Sequence, residues 1–246
     1  MNMAAGTYLR KSTQSMLHKA GYQLNRWNDH RKIMRSLIRL DDPVIFDVGA
    51  SVGSETLEYR KVFPGGRIYA FEPEPESFQV LQQRVNADSH ITAYNLAVSN
   101  VEGVARFNSN AAPACSSLLG TDSKAATNWS LTGVYETVET VDVRAVSLDN
   151  FCEANDVPRV DILKLDVQGA EYLVLEGARR LLREGNIRLI FTEIILVPTY
   201  AGQRSLFHYL GLFNENGYQL VDICDLTRAH RRLAQADFLF AAPGVI

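Results

Sequence analysis

The fold is decided by residues 44 to 53, which read Val44-Ile45-Phe46-Asp47-Val48-Gly49-Ala50-Ser51-Val52-Gly53. An apolar run rich in β-branched side chains meets an acid, and two glycines separated by three residues follow. The next stretch, through Leu57 to Phe63, is compatible with a helix. The pattern predicts a strand, a tight turn and a helix. Because glycine leaves no side chain between backbone and ligand, a bulky cofactor can lie against such a turn, which is the predicted cofactor site.

Composition limits the classes of protein to consider. The chain has 246 residues, of which 46% are hydrophobic, so it can bury a substantial core in one domain. A net charge of -3 gives no field that would concentrate a polyanion, which argues against nucleic acid as the main partner. No apolar run approaches the ~18 residues of a spanning helix, and no signal pattern is present, so we expect a cytoplasmic protein. Nothing in the sequence settles whether it forms a homo-oligomer.

The three cysteines, Cys115, Cys152 and Cys224, are far apart and form no CxxC motif. An odd number of scattered cysteines indicates neither a disulfide framework nor a zinc site. We therefore interpret them as ordinary thiols of a reducing compartment.

Residues 1 to 42 form a predicted N-terminal extension, and the domain proper is expected from 43 to 246. Basic side chains in the extension outnumber acidic ones, and apolar residues are interspersed among them. This pattern predicts one or two basic amphipathic helices. They could pack on the domain as a helical cap, or contact an anionic surface, an acceptor or a neighbouring subunit.

Strand-like and helix-like segments alternate after residue 43, which is typical of a parallel sheet with helices on its faces. The predicted strands after the first cover residues 67–72, 91–96, 160–166, 187–194, 219–223 and 237–241. Single helices are expected around Leu81, around Leu181 and between Leu206 and Gly217. Strand-like segments 101–107 and 137–146 flank a long insertion at 108–136. Loops of this length are usually functional lids or flexible segments, and we predict a hairpin whose mobile tip covers the active site.

Four acids end predicted strands, namely Asp47, Glu72, Asp166 and Glu193. Ligands of open α/β sheets bind beyond the carboxyl ends of the strands, so these acids should border one crevice. Glu72 lies about 20 residues past the glycine turn, where an acid accepts hydrogen bonds from ribose hydroxyls. The cofactor could still be a dinucleotide or S-adenosylmethionine. An acid before the first glycine would repel a pyrophosphate but can hold the amino group of a methionine moiety, which favours S-adenosylmethionine.

Five segments between Val44 and Glu193 extend this pattern in consistent order. They read Asp47-Val48-Gly49-Ala50-x-x-Gly53, Phe71-Glu72-Pro73-x-Pro75-x-x-Phe78-x-x-Leu81, Asn95-Leu96-Ala97-Val98-Ser99, Ser147-Leu148-Asp149 and Leu163-Lys164-Leu165-Asp166-Val167-Gln168-Gly169-Ala170-Glu171-x-x-Val174-Leu175-x-Gly177-Ala178. Together they resemble the FkbM family of S-adenosylmethionine-dependent methyltransferases. The resemblance implies the Rossmann-like class I methyltransferase fold, an α/β architecture with a mostly parallel seven-stranded sheet, an antiparallel last strand and helices on both faces.

The resemblance also implies O-methylation of a sugar, a polyketide or a related small-molecule or glycan acceptor. In such folds the first turn, here Asp47, Gly49, Ala50 and Gly53, holds the methionine part of S-adenosylmethionine. Glu72 would hold the ribose, and the segment with Asn95 and Ala97 would lie by the adenine. The extension and the 108–136 insertion fall outside the matching motifs. We therefore expect these two segments to determine which acceptor is bound.

Methyl transfer to oxygen needs an acceptor held in line and a base that removes its proton. Asp166, which ends a strand at the crevice, is the first candidate for this base, and Glu193 is the second. Lys164 points to the same side of its strand as Asp166 and could orient that carboxylate, or be a buried ion pair. Glu171 could bind the acceptor. Alternatively, it could lie in the first turn of its helix, where the helix dipole stabilises a negative charge. Residues 197 to 203 form a candidate acceptor loop.

Three alternatives stay open on sequence alone. Asp166 and Glu193 are suitable ligands for a divalent metal that activates the acceptor, although no compact cluster of acids or histidines indicates one. A nicotinamide-dependent oxidoreductase could use the same kind of sheet. A module that binds S-adenosylmethionine without catalysis could keep the same fold.

Overall fold

The computed structural model describes residues 29–130 and 133–246. Strands run over Val44–Val48 (β1), Arg67–Phe71 (β2), Ile91–Tyr94 (β3), Ala97–Val98 (β4), Gly103–Asn110 (β5), Thr137–Val146 (β6), Val160–Leu165 (β7), Ile187–Ile195 (β8), Gln219–Ala229 (β9) and Arg232–Ala241 (β10). Helices run over His30–Ile38 (α1), Ser54–Val62 (α2), Pro75–Val85 (α3), Ala125–Trp129 (α4), Leu148–Ala154 (α5), Glu171–Glu176 (α6), Arg179–Arg183 (α7) and Leu206–Glu215 (α8). A 3₁₀ turn covers Pro113–Cys115.

Seven strands form one sheet in the order β3-β2-β1-β7-β8-β10-β9. The first five of these are parallel, and β10 is antiparallel to both of its neighbours. The chain order reverses between β1 and β7, so the loops after these two strands diverge and leave a crevice there. The mostly parallel seven-stranded sheet with an antiparallel last strand is therefore confirmed.

The sheet separates two apolar cores. Phe46 on one face lies among side chains of α5, α6, α7 and α8, and Ile45 on the other face lies among side chains of α1, α2 and α3. Every residue of β1 and β7 is buried, as expected for strands covered on both faces. Full burial of a side chain such as Phe46 contributes roughly 1.5–3 kcal/mol. The predicted helices on both faces are confirmed, and the core holds the carboxyl ends of β1 and β7 side by side.

The insertion forms a second, three-stranded sheet in the order β4-β6-β5. Its tip packs on the loop after β8: Asp122 N donates to Thr199 O (2.8 Å), Ala201 N to Gly120 O (2.7 Å) and the Trp129 indole to Thr199 Oγ1 (2.8 Å). The predicted hairpin is thus present, and its described tip is docked. Residues 131 and 132 lie outside the described residues, and mobility of the tip stays a prediction.

The single helix expected around Leu181 is wrong, because the structure has two short helices, α6 and α7, there. Gly177 separates them, and a Cβ on this glycine would lie 2.1 Å from Ser99 O. Asp149 then begins α7 by accepting hydrogen bonds from the backbone N–H groups of Arg180 (2.8 Å) and Leu181 (3.1 Å). A carboxylate that binds these free N–H groups favours a new helix start over continuation of α6.

The last two strands are longer than expected. The predicted loop between residues 223 and 237 is instead a tight hairpin whose turn, His230 and Arg231, has φ angles of 47° and 66°. Two consecutive left-handed residues match the right-handed twist of a hairpin, but His and Arg are not the usual residues there. The sequence therefore carried no recognisable turn signal.

The predicted N-terminal extension stays a prediction as a unit, since residues 1–28 lie outside the described residues. Within it, α1 begins after Asp29, whose carboxylate accepts a hydrogen bond from Arg31 N, and buries Met34 and Ile38 against the sheet. No helix in the described part of the chain has the length and apolar character that crossing a membrane requires.

We expect Gly177→Ala to destabilise the protein, because its Cβ would overlap the backbone of Ser99. Overpacking of this kind costs about 1–3 kcal/mol in the free energy of unfolding, which urea denaturation measures. Gly211→Ala is the matched control, since that helical glycine faces open space and alanine there should stabilise by about 0.5–1 kcal/mol. Equal stability of Gly177→Ala and the unaltered protein would contradict this account.

Candidate active site

The glycine turn closes directly against the end of β7. Gly49 has φ 78°, and a Cβ there would lie 1.8 Å from the backbone oxygen of Asp166. The N–H groups of Gly49 and Ala50 both donate to Phe71 O at 3.0 Å, which ties the turn to β2 as well. Gly53 has φ 83° and begins α2 against Leu81. No residue other than glycine fits position 49.

A buried ion pair lies beneath this turn. Lys164 Nζ is 2.9 Å from Asp47 Oδ1 and donates to Gly49 O at 2.8 Å, while the other oxygen of Asp47 accepts from the Thr56 hydroxyl. Burial by itself lowers the pKa of Lys164, but attraction to Asp47 outweighs it and raises that pKa above its ordinary value. The pair joins β1, β7 and the turn.

This pair corrects two predictions. Asp47 has no exposed surface, so it does not hold a methionine amino group directly and acts through the turn instead. Lys164 Nζ is 4.0 Å from Asp166 Oδ2, against 2.9 Å from Asp47. Of the two interpretations of Lys164, a buried ion pair describes the structure, and its partner is Asp47.

A cleft of about 700 Å³, open to solvent, lies beyond the carboxyl ends of β1, β2 and β7. We call it the cofactor cleft. Its sheet side includes Gly49, Ser51, Glu72, Ala97, Asp166 and Gln168, and its outer wall includes Phe107 of β5 and Pro113, Ala114, Ser116 and Leu118 of the insertion. A ligand in this cleft would lie between the ends of the central strands and this outer wall.

Glu72 is held firmly at the edge of this cleft. Its two oxygens accept hydrogen bonds from the backbone N–H groups of Ser51 (2.8 Å) and Glu74 (2.9 Å). Burial raises the pKa of Glu72 to about 7, and the two backbone hydrogen bonds oppose this rise. A carboxylate so placed retains lone pairs for two adjacent hydroxyl groups of a ligand.

The remaining predicted cofactor residues divide into lining and supporting groups. Ala97 lines the cleft. Asn95 instead donates from Nδ2 to the backbone oxygens of Glu72 and Pro73, both at 2.9 Å, and so fixes the chain after β2. Ala50 is buried in the core on the α1–α3 face, and Gly53 packs on Leu81. These three residues shape the cleft without lining it.

The two predicted base candidates, Asp166 and Glu193, meet at one side chain that the sequence prediction missed. Gln168 Nε2 donates to Asp166 Oδ1 (2.8 Å) and to Glu193 Oε2 (3.0 Å). The Tyr200 hydroxyl donates to Gln168 Oε1 (3.2 Å), and Gln235 donates to the other oxygen of Glu193. Gln168 has φ 56°, a left-handed backbone conformation. A glutamine in a loop does not indicate this conformation from sequence.

The environments of the two acids differ. The side chain of Asp166 is 42% exposed, whereas Glu193 is 9% exposed. Burial, followed by repulsion from Asp166 and Glu171, raises the pKa of Glu193 well above its ordinary value. Asp166 is therefore the accessible acid of the pair, and burial opposes the ionised form of Glu193.

The structure also settles three secondary alternatives. Glu171 is fully buried and accepts hydrogen bonds from Val167 N (2.9 Å) and Gly169 N (3.2 Å), so it supports the Asp166 loop and does not touch acceptor. Thr199 and Tyr200, in the proposed acceptor loop, are buried under the insertion. The Gln168 amide lies between Asp166 and Glu193 and donates to both, so the two acids are bridged by an amide and are not arranged as a pair of metal ligands.

Comparison with known proteins gives a consistent set of relatives. The family model described as Methyltransferase FkbM domain matches residues 47–220. The chain is 25% identical over 230 residues to 2-O-methyltransferase NoeI of Sinorhizobium fredii, covering 85% of this chain and 90% of that protein. It is 26% identical to hexuronic acid methyltransferase AglP of Haloferax volcanii (61% of this chain, 56% of AglP).

Two further matches cover a smaller part of the chain or have a lower sequence identity. The chain is 31% identical to 31-O-demethyl-FK506 methyltransferase FkbM of Streptomyces tacrolimicus, over 54% of this chain and 58% of that protein. Among solved structures, precorrin-6y C5,15-methyltransferase of Geobacter metallireducens superposes with a TM-score of 0.46 and 14% identity, covering 86% of each chain.

We expect Lys164→Met to destabilise the protein by about 3–5 kcal/mol, because it leaves the buried Asp47 without its partner. Removal of both charges, by Asp47→Asn in the same chain, should restore part of that loss, so the double variant is more stable than the sum of single effects. Urea denaturation measures all three. Lys61→Met, which removes an exposed pair with Glu58, is the control and should leave stability unchanged. An unaltered midpoint for Lys164→Met would refute the role of the pair.

Proposed function

Because this chain belongs to the FkbM family of S-adenosylmethionine-dependent methyltransferases, we propose that it methylates a hydroxyl oxygen of a sugar, a polyketide or a related glycan. Three relatives support an oxygen acceptor. NoeI is a 2-O-methyltransferase, AglP is a hexuronic acid methyltransferase and FkbM is a 31-O-demethyl-FK506 methyltransferase. Membership in this family also decides against the nicotinamide-dependent oxidoreductase. A cytoplasmic location and the absence of nucleic acid as a partner remain predictions from the sequence.

The observation that carries the proposal is the position of Asp166. It lines the same cleft as Gly49 and Glu72, and it is an exposed carboxylate at the end of a central strand. A base for O-methylation must reach the acceptor hydroxyl beside the bound cofactor, and a carboxylate in this place can do so. N-methylation of an amine that is already neutral would not require such a base.

The cleft fits S-adenosylmethionine on the evidence of its donor set. Gly49 and Ser51 present backbone without bulky side chains, and Glu72 offers oxygens suited to a ribose diol. We propose that the turn holds the methionine part and that Glu72 holds the ribose. When bound, S-adenosylmethionine supplies a methyl group on a positively charged sulfur, which is already a good donor.

The proposed mechanism then depends on three side chains. Asp166 accepts the proton of the acceptor hydroxyl as the oxygen forms its bond to the methyl carbon and the sulfur–carbon bond breaks. Gln168 holds Asp166 in place through its amide. Glu193 holds Gln168 from the other side, and it does not line the cleft in which the acceptor would lose its proton. Because Asp166 is partly exposed, its proton passes on to solvent after transfer.

The direct test of the function is transfer of labelled methyl. The protein is incubated with labelled S-adenosylmethionine and a panel of hydroxylated sugars, glycans and polyketides, and products are examined by mass spectrometry and NMR. A new methoxy group supports the proposal. Label found only on nitrogen or carbon would overturn it, and so would binding of S-adenosylmethionine with no transfer to any member of a panel that includes whole-cell extracts.

We expect Asp166→Asn to lower kcat by about 10²–10⁴-fold while the Kd for S-adenosylmethionine stays within about threefold, because the change removes a base and keeps the shape. Glu193→Gln is the matched control. It should cost much less, since Glu193 does not line the cleft and is buried behind Gln168. Turnover and calorimetry measure the two effects, and a larger loss in Glu193→Gln would move the base to that residue.

Affinity for S-adenosylmethionine should fall as pH is lowered through about 7, the pKa of Glu72. Above this pH the carboxylate is ionised and accepts from the ribose hydroxyls; below it the carboxyl is protonated and that attraction is lost, by up to about tenfold per pH unit. Calorimetry across pH measures the slope. Glu72→Gln should bind weakly with no such slope, and a slope unchanged in this variant would assign it to another group.

A further inference from the structure

We propose that His30, Cys224 and Asp225 form a binding site for a borderline transition-metal ion such as Zn²⁺. One donor atom from each residue lies within 4.8 Å of the other two. His30 Nδ1 is 3.8 Å from Asp225 Oδ2. None of the three lines the cofactor cleft, so this site is independent of the methyl-transfer chemistry. The 193 residues between His30 and Cys224 explain why no cysteine motif marks it in the sequence.

A β-bulge brings two adjacent residues of β9 to the same place. Successive side chains of a regular strand point to opposite faces, so Cys224 and Asp225 would normally diverge. Here Asp237 pairs with Cys224 and Gln235 with Thr227, which leaves an additional residue on β9 between the two pairs. Asp225 takes up this excess with φ 49°. Bulges commonly re-aim a side chain, and this one turns a thiol and a carboxylate toward the same imidazole.

The imidazole is fixed before any ion arrives. The ring of His30 stacks on Phe191 with centroids 4.1 Å apart and an interplanar angle of 17°, and its side chain is only 12% exposed. It begins α1, where Asp29 caps the first turn. A ligand whose ring orientation is set by packing loses little conformational entropy when it binds metal.

Two side chains of opposite charge, Glu55 and Arg31, lie beside the second nitrogen of His30. Glu55 Oε2 lies 4.0 Å from His30 Nε2 and also binds Arg31 at 2.7 Å. Metal-bound histidines usually direct their second nitrogen to a carboxylate, and Glu55 is placed for that part. Arg31 Nη1 is 3.3 Å from His30 Nε2 and also donates to Glu55. When His30 Nε2 carries a proton and cannot accept, Arg31 still has Glu55 as a hydrogen-bond partner.

The donor set selects the class of ion. Nitrogen, sulfur and oxygen together suit Zn²⁺ and Co²⁺, whereas Mg²⁺ and Ca²⁺ prefer oxygen alone. Three protein ligands leave one tetrahedral position open to solvent, and Asp225, with a side chain that is 48% exposed, gives the ion a route in. A bound ion would fasten α1 to the last hairpin, since His30 belongs to one and Cys224 to the other.

The experiment uses the full chain without a histidine tag, stripped with chelator and titrated with Co²⁺. A thiolate ligand produces a sulfur-to-cobalt absorption band, so we expect this band to saturate at a single equivalent of metal. Cys224→Ser should abolish the band, and His30→Asn or Asp225→Asn should weaken binding at least about tenfold. Cys115→Ser is the matched control and should retain the band.

Zn²⁺ calorimetry and thermal melts of the same variants complete the test. Zn²⁺ should raise the Tm of the unaltered protein and not that of Cys224→Ser. Melts without metal establish that each variant is folded, and Asp225→Asn, at an exposed position, is the variant least affected by packing. Absence of the cobalt band, its survival in Cys224→Ser, its loss in Cys115→Ser or unchanged affinity in both other variants would each overturn the proposal.

Discussion

The buried pair of Asp47 and Lys164 is the interaction on which the site depends. It joins the ends of β1 and β7, the two strands between which the chain order reverses, and Lys164 also binds the carbonyl of Gly49. Replacing water around two charges is costly, so such a pair persists only where its geometry is good and its remaining valences are filled. The Thr56 hydroxyl binds the second oxygen of Asp47, and Lys164 donates to the carbonyl of Gly49. The glycine turn and the loop with Asp166 are thereby held in fixed relation to each other.

Local signals let the sequence predict most of the fold. Strand β1 and the glycine turn follow from apolar runs and glycine spacing, which are local features of the sequence. The seven-stranded sheet follows from the alternation of strand-like and helix-like segments together with the family resemblance. The elements that differ depend on contacts between distant segments. The break at Gly177 is imposed by Ser99 and by Asp149, and the turn at His230 and Arg231 lacks the residues that usually mark a hairpin.

The same distinction applies to the candidate site. Sequence order placed Asp47, Glu72, Asp166 and Glu193 at one end of the sheet, but it could not say which carboxylates face the cleft. Burial separates them: Asp47 is enclosed with Lys164 and Glu193 is buried behind Gln168, whereas Glu72 and Asp166 line the cleft. Environment assigns different work to chemically similar groups, as it does in many acid–base enzymes. The sequence did not single out Gln168, because its role depends on a left-handed backbone and on contacts with Asp166, Glu193 and Tyr200. Residue type alone does not indicate either property.

The docking of the insertion has an evolutionary consequence. Its tip is anchored on the Thr199–Tyr200 loop, and residues 113–118, which precede the tip, lie across the cleft from the glycine turn. Substitutions between 113 and 118 can therefore reshape the outer wall of the cleft without touching the pair beneath the turn. Tyr200 contacts both Cys115 of this segment and Gln168, so a new wall stays connected to the side chain that holds Asp166. A lineage can exchange this wall while the glycine turn opposite it stays intact.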